Sequence, residues 1–279
     1  MIELAPSHKR GLTLSGPVMP ATGIMGYGDV YHRLVPLETL GAFVTNPITA
    51  RARRGAQPPR VLSFPGGLLV HTGLDNPGVR DVIRRHSKRW AHSPVPVIAH
   101  VVGTSPQEAA ACCEQLSRLE ALAGVELGLQ DYFAVEEALE ILAAVRSLGT
   151  LPLIVKLPLW HADAMAVAIV DRDLADALTV AAPPRGTLPV AGHPITGRLY
   201  GPATFPQALW MLQRVQALIE DRLPLIGCGG IHSVGDARAL LAAGAVAVQV
   251  DSYIWRDPAG FVHLAQTLNH PPHEEAAGA

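Results

Sequence analysis

Cysteine is scarce in this chain: Cys112, Cys113 and Cys228 are the 3 in 279 residues. The number is odd and the spacing matches no metal site, so neither a disulfide framework nor a cysteine-held metal centre is expected. Charge is also sparse, at 16% of residues with a formal net of -2. That balance offers no basic face for nucleic acid and no polybasic face for a membrane surface. There is no run of about 18 uninterrupted apolar residues, so no transmembrane helix is expected. The first twenty or so residues lack the basic start and unbroken apolar core of a secretory signal. Together these absences read as a cytoplasmic chain with a small-molecule substrate and neither nucleic acid nor membrane as partner.

What is present is apolar and well punctuated. Hydrophobic residues make up 49%, with 26 glycines and 24 prolines. That mixture suits many short turns around a large core rather than disorder. Eight short apolar stretches read as strands: Pro17–Ala21, Ala42–Thr45, Pro94–Val102, Gly124–Leu129, Leu151–Leu157, Ala177–Ala182, Leu223–Ile226 and Ala245–Val250. Helical patterns alternate with them over Val30–Leu40, Pro77–Trp90, Pro106–Leu122, Val135–Leu148, Asp163–Val170, Phe205–Glu220, Gly235–Ala243 and Pro258–Leu268. Continuous aliphatic strands separated by helices predict an α/β fold, a (β/α)8 TIM barrel, with a doubly wound sheet as the alternative. No domain boundary or linker is visible. One barrel domain over residues 1–279 is expected, with a core at 10–268 and a disordered polar tail at 269–279. Two long loops, Asn46–Asp75 and Pro183–Pro202, follow the second and sixth strands, on the face where barrels place their chemistry.

The stretch Leu223-Pro-Leu-Ile-Gly-Cys-Gly-Gly-Ile231 is the most informative. A short strand runs into Gly227, Gly229 and Gly230, and Ser233 opens a helix. Glycines let backbone approach an anion and a helix start offers free N–H groups, so the turn is a candidate phosphate cradle; a plain βα turn is the other reading. After strand eight, Ser252 could add a hydroxyl, while Asp251 would repel a phosphate unless it points away. Lys156, at the end of strand five, could hold negative charge at the barrel mouth or be a snorkelling surface lysine. Asp131, after strand four, could be a general base or an N-cap. His71 could be a proton shuttle or a surface histidine. His161 and Asp163 could touch a ligand but lack companions for a metal site. Arg51, Arg53 and Arg54 read as a solvated loop, and Cys112 and Cys113 as core filler.

An ordered set of short motifs resembles the class 1 dihydroorotate dehydrogenases. It comprises Gly16-Pro-Val-Met-Pro-Ala-Thr-Gly23 with Gly26-Tyr-Gly28, Gly41-Ala-Phe-Val-Thr45, Pro58-Pro-Arg-Val61, Gly73-Leu-Asp-Asn-Pro-Gly-Val79, Val155-Lys-Leu-Pro158, Gly201-Pro-Ala203, Ile226-Gly-Cys-Gly-Gly-Ile231 and Ala247-Val-Gln-Val250. The resemblance implies an FMN-binding barrel that oxidises dihydroorotate or a similar small molecule, by proton abstraction from one carbon and hydride transfer from the next. It implies cofactor contacts from Ala21, Thr22, Gly23, Asn46, Lys156, Gly201, Cys228, Gly229, Gly230 and Ser252. Asp131 and Lys156 are then the catalytic candidates, and Asn76 and His71 the substrate contacts. A homodimer and a separate electron-transfer subunit are possible partners on the same ground. The chain departs from the family pattern at Asn46 (a lysine there), Val70 and Ala182 (asparagines), Asp131 (the base cysteine) and Asp251 (a glycine). Two other readings accompany this one: a non-catalytic homologue that binds FMN or another phosphorylated ligand, and a flavin-free barrel enzyme.

Overall fold

The computed structural model describes residues 1–269. Eight parallel strands form the central sheet: β1 (Val18–Pro20), β2 (Phe43–Val44), β3 (Val97–Val101), β4 (Gly124–Gly128), β5 (Leu153–Pro158), β6 (Ala177–Ala182), β7 (Leu225–Cys228) and β8 (Ala245–Val250). They are bonded in the order β1-β8-β7-β6-β5-β4-β3-β2, and the Gly41 N–H donates to the Val18 carbonyl at 2.7 Å where the two ends meet. A Cβ on Gly41 would lie 1.9 Å from the Gly16 carbonyl oxygen, so only glycine lets these segments approach. The result is the expected (β/α)8 barrel.

Helices α1 (Val79–Trp90), α2 (Pro106–Ser117), α3 (Val135–Leu148), α4 (Ala162–Asp171), α5 (Phe205–Ile219), α6 (Val234–Ala242), α7 (Tyr253–Arg256) and α8 (Pro258–Asn269) pack outside. Sequence chemistry sets several starts. Ser105 caps α2 by accepting from the Glu108 N–H at 3.3 Å, with Pro106 in the first turn. Ser233 does the same for α6 through the Asp236 N–H at 3.1 Å. Ser105→Ala is expected to cost about 1 kcal/mol, read as a Tm lower by roughly 2–4 °C; an unchanged Tm would mean the cap contributes nothing.

Some expectations need correction. Val30–Leu40 is not a helix; only Leu37–Thr39 makes a 3-10 turn. Pro36, extended at φ -63° and ψ 121°, interrupts it, as a proline without an N–H and with a restricted predecessor does. Pro77 is not the first helical residue: α1 starts at Val79 after Gly78, whose φ is 82°. Helix α2 stops at Ser117 rather than near Leu122. Asn269 belongs to α8, where its side-chain amide donates to the Thr39 carbonyl at 2.8 Å. The rest of the expected disordered tail, 270–279, lies outside the described residues.

The two long loops are not structureless. Val61–Phe64 and Gly67–Val70 form one hairpin, and Arg185–Val190 and His193–Tyr200 form another. Arg198 pairs with Val70 and Tyr200 with Leu68, joining both into one antiparallel sheet. Prolines and glycines within these strands, including the facing pair Pro189 and Pro194, dilute the apolar alternation that marks a strand in sequence.

The barrel interior is layered by the two-residue period of its strands. At the amino end Met19, Ile98, Ile154, Ala177, Ile226 and Ala247 form an apolar layer. The N-terminal hairpin, Ile2–Glu3 with Thr13–Leu14, closes it from below through Leu4, Leu12 and Leu14. One step further along the strands the interior turns polar.

Candidate functional site

That second layer holds His100, Glu126, Lys156, Thr179 and Gln249, all buried. Each is the residue two positions after an interior apolar side chain or, for Glu126, after Gly124. Glu126, 0% exposed, is the hub. Its carboxylate meets His100 Nδ1 at 2.7 Å and accepts from the Thr179 hydroxyl at 2.8 Å and the Gln249 amide at 2.5 Å. The Lys156 ammonium donates to Gln249 Oε1 at 2.5 Å and lies 3.9 Å from Glu126.

Two buried charges that pair and fill their remaining hydrogen-bond positions can persist in a core. Burial alone would push the Glu126 carboxyl up, but the Lys156 charge and the His100 and Gln249 bonds hold it down to about 2. Burial would lower Lys156, yet the neighbouring Glu126 and Asp251 carboxylates raise it above its ordinary value. Lys156 therefore stays an ammonium ion. Burial pushes the Cys228 thiol up to about 11, which keeps it protonated and unreactive.

Above this layer is a cavity of about 660 Å³. Thr22 and Gly23 line it after β1, His100 and Lys156 from below, and the two hairpins cover it. The roof brings Arg53, Arg60, Arg185 and Arg198 to its wall. Asp75 pairs with Arg60 at 3.4 Å, and Asp131 is held by Arg185 at 2.8 Å and Arg198 at 2.6 Å. Asp131 is not itself among the lining residues, so four guanidinium groups face one carboxylate, Asp75, on the wall and leave it cationic, which suits a small anion. Tyr200 and Trp255, with ring centroids 5.3 Å apart, form its aromatic side.

Thr22, Gly23, Asn46, His71 and Lys156 thus share one cavity. The Thr22 hydroxyl donates to the Thr45 carbonyl at 2.8 Å, and the Asn46 side-chain oxygen is buried without a partner. Ala21 is buried beside them, its N–H donating to the Val250 carbonyl at 2.8 Å. Asp131 does not cap α3, whose N-cap is Ala134 with the Glu137 carboxylate folded back at 2.9 Å. Asn76 is not on the cavity wall. Its side-chain oxygen accepts from the Thr49 hydroxyl and the Gly78 N–H, at 3.0 and 2.9 Å, and so shapes the loop before α1.

Gly201, Cys228, Gly229, Gly230 and Ser252 are not among the residues that line the cavity. Cys228 ends β7 with Gly229 and Gly230 next, Ser252 comes two residues after β8 and its carbonyl accepts from the Trp255 N–H at 3.2 Å, and Gly201 follows Tyr200. These positions place them behind the Tyr200 and Trp255 side of the cavity. Gly201, Gly229 and Gly230 have φ of 126°, 124° and 68°, and a Cβ on Gly230 would lie 2.4 Å from the Phe205 nitrogen at the start of α5. Such a turn requires glycine, and its backbone is buried against the start of α5. Beside it, Asp251 is 1% exposed, and its Oδ1 takes both the Ser252 N–H at 2.5 Å and the Ser252 hydroxyl at 2.9 Å.

Sequence reasoning missed His100, Glu126, Thr179, Gln249 and the arginines of the second hairpin. The signal for the first four was available: a single polar residue at matching depth in an otherwise apolar strand, as in Val97-Ile-Ala-His-Val101 and Gly124-Val-Glu-Leu-Gly128. The arginines become site residues only because the hairpin folds back over the barrel.

The fold and its roofed cavity define a (β/α)8 barrel protein with a ligand site at the carboxyl ends of its strands. The family model described as dihydroorotate dehydrogenase matches residues 6–271. A catalytic subunit of dihydroorotate dehydrogenase B (NAD(+)) from Pelobacter propionicus is 35% identical over 276 residues, covering 92% of this chain and 90% of its own. Proteins of the same name from Listeria innocua (32% identical, 89% of this chain and 86% of theirs) and Anoxybacillus flavithermus (35%, 89% and 84%) are similar. The chain belongs to the dihydroorotate dehydrogenase family.

The family implies a flavin. A ring above Lys156, beside Thr22 and Gly23, fits the cavity, and the ammonium ion suits negative charge on a reduced ring. The glycine turn fits a ribityl chain. A phosphate terminus does not fit in the same way, because Asp251 places a buried carboxylate there and occupies the Ser252 donors.

Proposed function

We propose that this chain is a flavin-dependent oxidoreductase that oxidises dihydroorotate or a closely similar small acid, a step of pyrimidine biosynthesis. The observation that carries the proposal is the buried ammonium of Lys156 at the floor of a cationic cavity. FMN is the flavin expected from the family; support for its ring and ribityl portions comes from Thr22, Gly23, Lys156, Gly201, Gly229 and Gly230. A bound flavin would supply the two-electron acceptor.

The chain's own residues would do the rest. Arg53, Arg60, Arg185 and Arg198 attract and orient the substrate carboxylate, with Asn46 and His71 as further polar contacts at the wall. The two hairpins shield part of the cavity from water, which strengthens the contacts on their inner side. Asp131 is the proposed proton acceptor. Guanidinium N–H groups hold its carboxylate, so accepting a proton requires one arginine contact to exchange for the substrate. Ala21, Cys228 and Ser252 act through backbone or packing at the cofactor edge.

The family relatives are named as catalytic subunits, which supports a separate electron-transfer subunit that reoxidises the flavin; a homodimer of this chain is proposed beside it. No helix among the described residues is long and apolar enough to cross a membrane.

The purified protein is expected to show a flavin absorption spectrum that bleaches anaerobically on addition of dihydroorotate. Asp131→Asn is expected to slow that bleaching by about 10²–10⁴-fold, the usual contribution of a positioned base. An unchanged rate would remove Asp131 from the mechanism. The crowding of Asp131 by two arginines and the carboxylate at Asp251 favour a second reading, a ligand-binding homologue without catalysis. Flavin retained with no bleaching by any dihydropyrimidine acid would select it.

A further inference from the structure

Asp251 follows β8 directly, and the β7–β8 register sets Cys228 opposite Gln249, so its backbone stands beside the Cys228–Gly230 turn at the carboxyl ends of the two strands. The carboxylate is buried, at 1% exposure. Its Oδ1 is engaged by the Ser252 N–H at 2.5 Å and the Ser252 hydroxyl at 2.9 Å. Its Oδ2 is buried with no hydrogen-bond partner. An unpaired buried acceptor calls for a donor from outside the chain. A phosphate dianion offers only acceptors and a like charge, and the two Ser252 donors that could have met it are already taken.

We propose that Asp251 selects a ligand whose end at the Gly229–Gly230 turn is an uncharged hydroxyl, so that the site takes the unphosphorylated flavin, riboflavin, in preference to FMN. A terminal hydroxyl donates to Asp251 Oδ2 and accepts from backbone N–H groups of the glycine turn at once. Tyr200 and Trp255 line the cavity on the side nearest Gly201 and Ser252, and offer aromatic surface suited to a ribityl chain rather than to a charge. The inference rests on the flavin reading given above and narrows it to one chemical form.

The test uses the full chain, stripped of bound ligand and titrated separately with riboflavin and with FMN, with quenching of flavin fluorescence as the readout. The expected result is a Kd for riboflavin lower than that for FMN by roughly a hundredfold, since like charges in one dry site are strongly disfavoured. Asp251→Gly is expected to reverse the order by freeing the Ser252 donors, and Asp251→Asn to narrow the gap while keeping the fold. Identification of the flavin released by denaturing freshly purified protein gives a second readout, and riboflavin is expected. Tighter FMN binding by the unaltered chain, or an order of affinities that Asp251→Gly leaves alone, overturns the role of Asp251 while the flavin reading stands. Failure of the unaltered chain and both variants to bind either flavin overturns both.

Discussion

Lys156→Met is expected to destabilise the protein by about 3–5 kcal/mol and to remove flavin-dependent turnover. The side chain sits in the polar layer of the barrel, 3% exposed, with its charge set against Glu126. Methionine fills the volume but leaves the Glu126 carboxylate buried without a counter-ion, and it leaves Gln249 Oε1 without its donor. For a chain of this size the loss corresponds to a Tm lower by roughly 10 °C. The catalytic loss has a separate cause, since among the described residues Lys156 is the one lysine or arginine at the cavity floor placed to hold negative charge on a reduced ring. Adding Glu126→Gln separates the two effects. The double variant is expected to recover most of the stability and none of the turnover, because neutralising both members of a buried pair costs far less than orphaning one. Equal instability of the single and double variants would show that the pair is not coupled.

Glu126→Gln alone is expected to destabilise the protein strongly at neutral pH and progressively less as the solution is acidified. The sign follows from the direction of the shift. The carboxyl titrates at about 2 in the fold, below its ordinary 4.5, because Lys156, His100 and Gln249 outweigh the cost of burial. A lowered value means that the folded state prefers the ionised form. The stabilisation is therefore complete above about pH 4.5 and drains away as pH falls toward 2. The shift corresponds to about 3 kcal/mol, so the gap between the unaltered chain and the variant is expected to close by that amount between pH 6 and pH 2. Urea unfolding at a series of pH values measures it. A gap that stays constant across the range would place the charge of Glu126 outside the stability of the fold.

Much of the scaffold was legible in the residues alone. Each barrel strand is an aliphatic run covered on both faces, and such runs read as strands whatever their neighbours do. Ser105, Ser233 and the glycines near Gly230 carry local instructions for caps and turns that need no tertiary partner. The same locality explains why Gly229, Gly230 and Lys156 could be singled out: their meaning depends on where a strand ends. The polar residues inside the barrel were harder to value. Glu126 and His100 come from different strands, 26 positions apart, and Gln249 lies 123 positions from Glu126. Only closure of the sheet makes them a network.

The sequence by itself determined the barrel, the glycine turn and the family, because those depend on local pattern and ordered motifs. Tertiary structure decided what the site is made of. It turned two loops into a roof whose arginines face the cavity, set Asp131 between Arg185 and Arg198, engaged Asn76 in a loop rather than at the wall, and buried Asp251 with one oxygen free. The physical reason is common to all four. The role of a charged or amide side chain depends on which partners reach it and how much water remains, and both are properties of the folded chain.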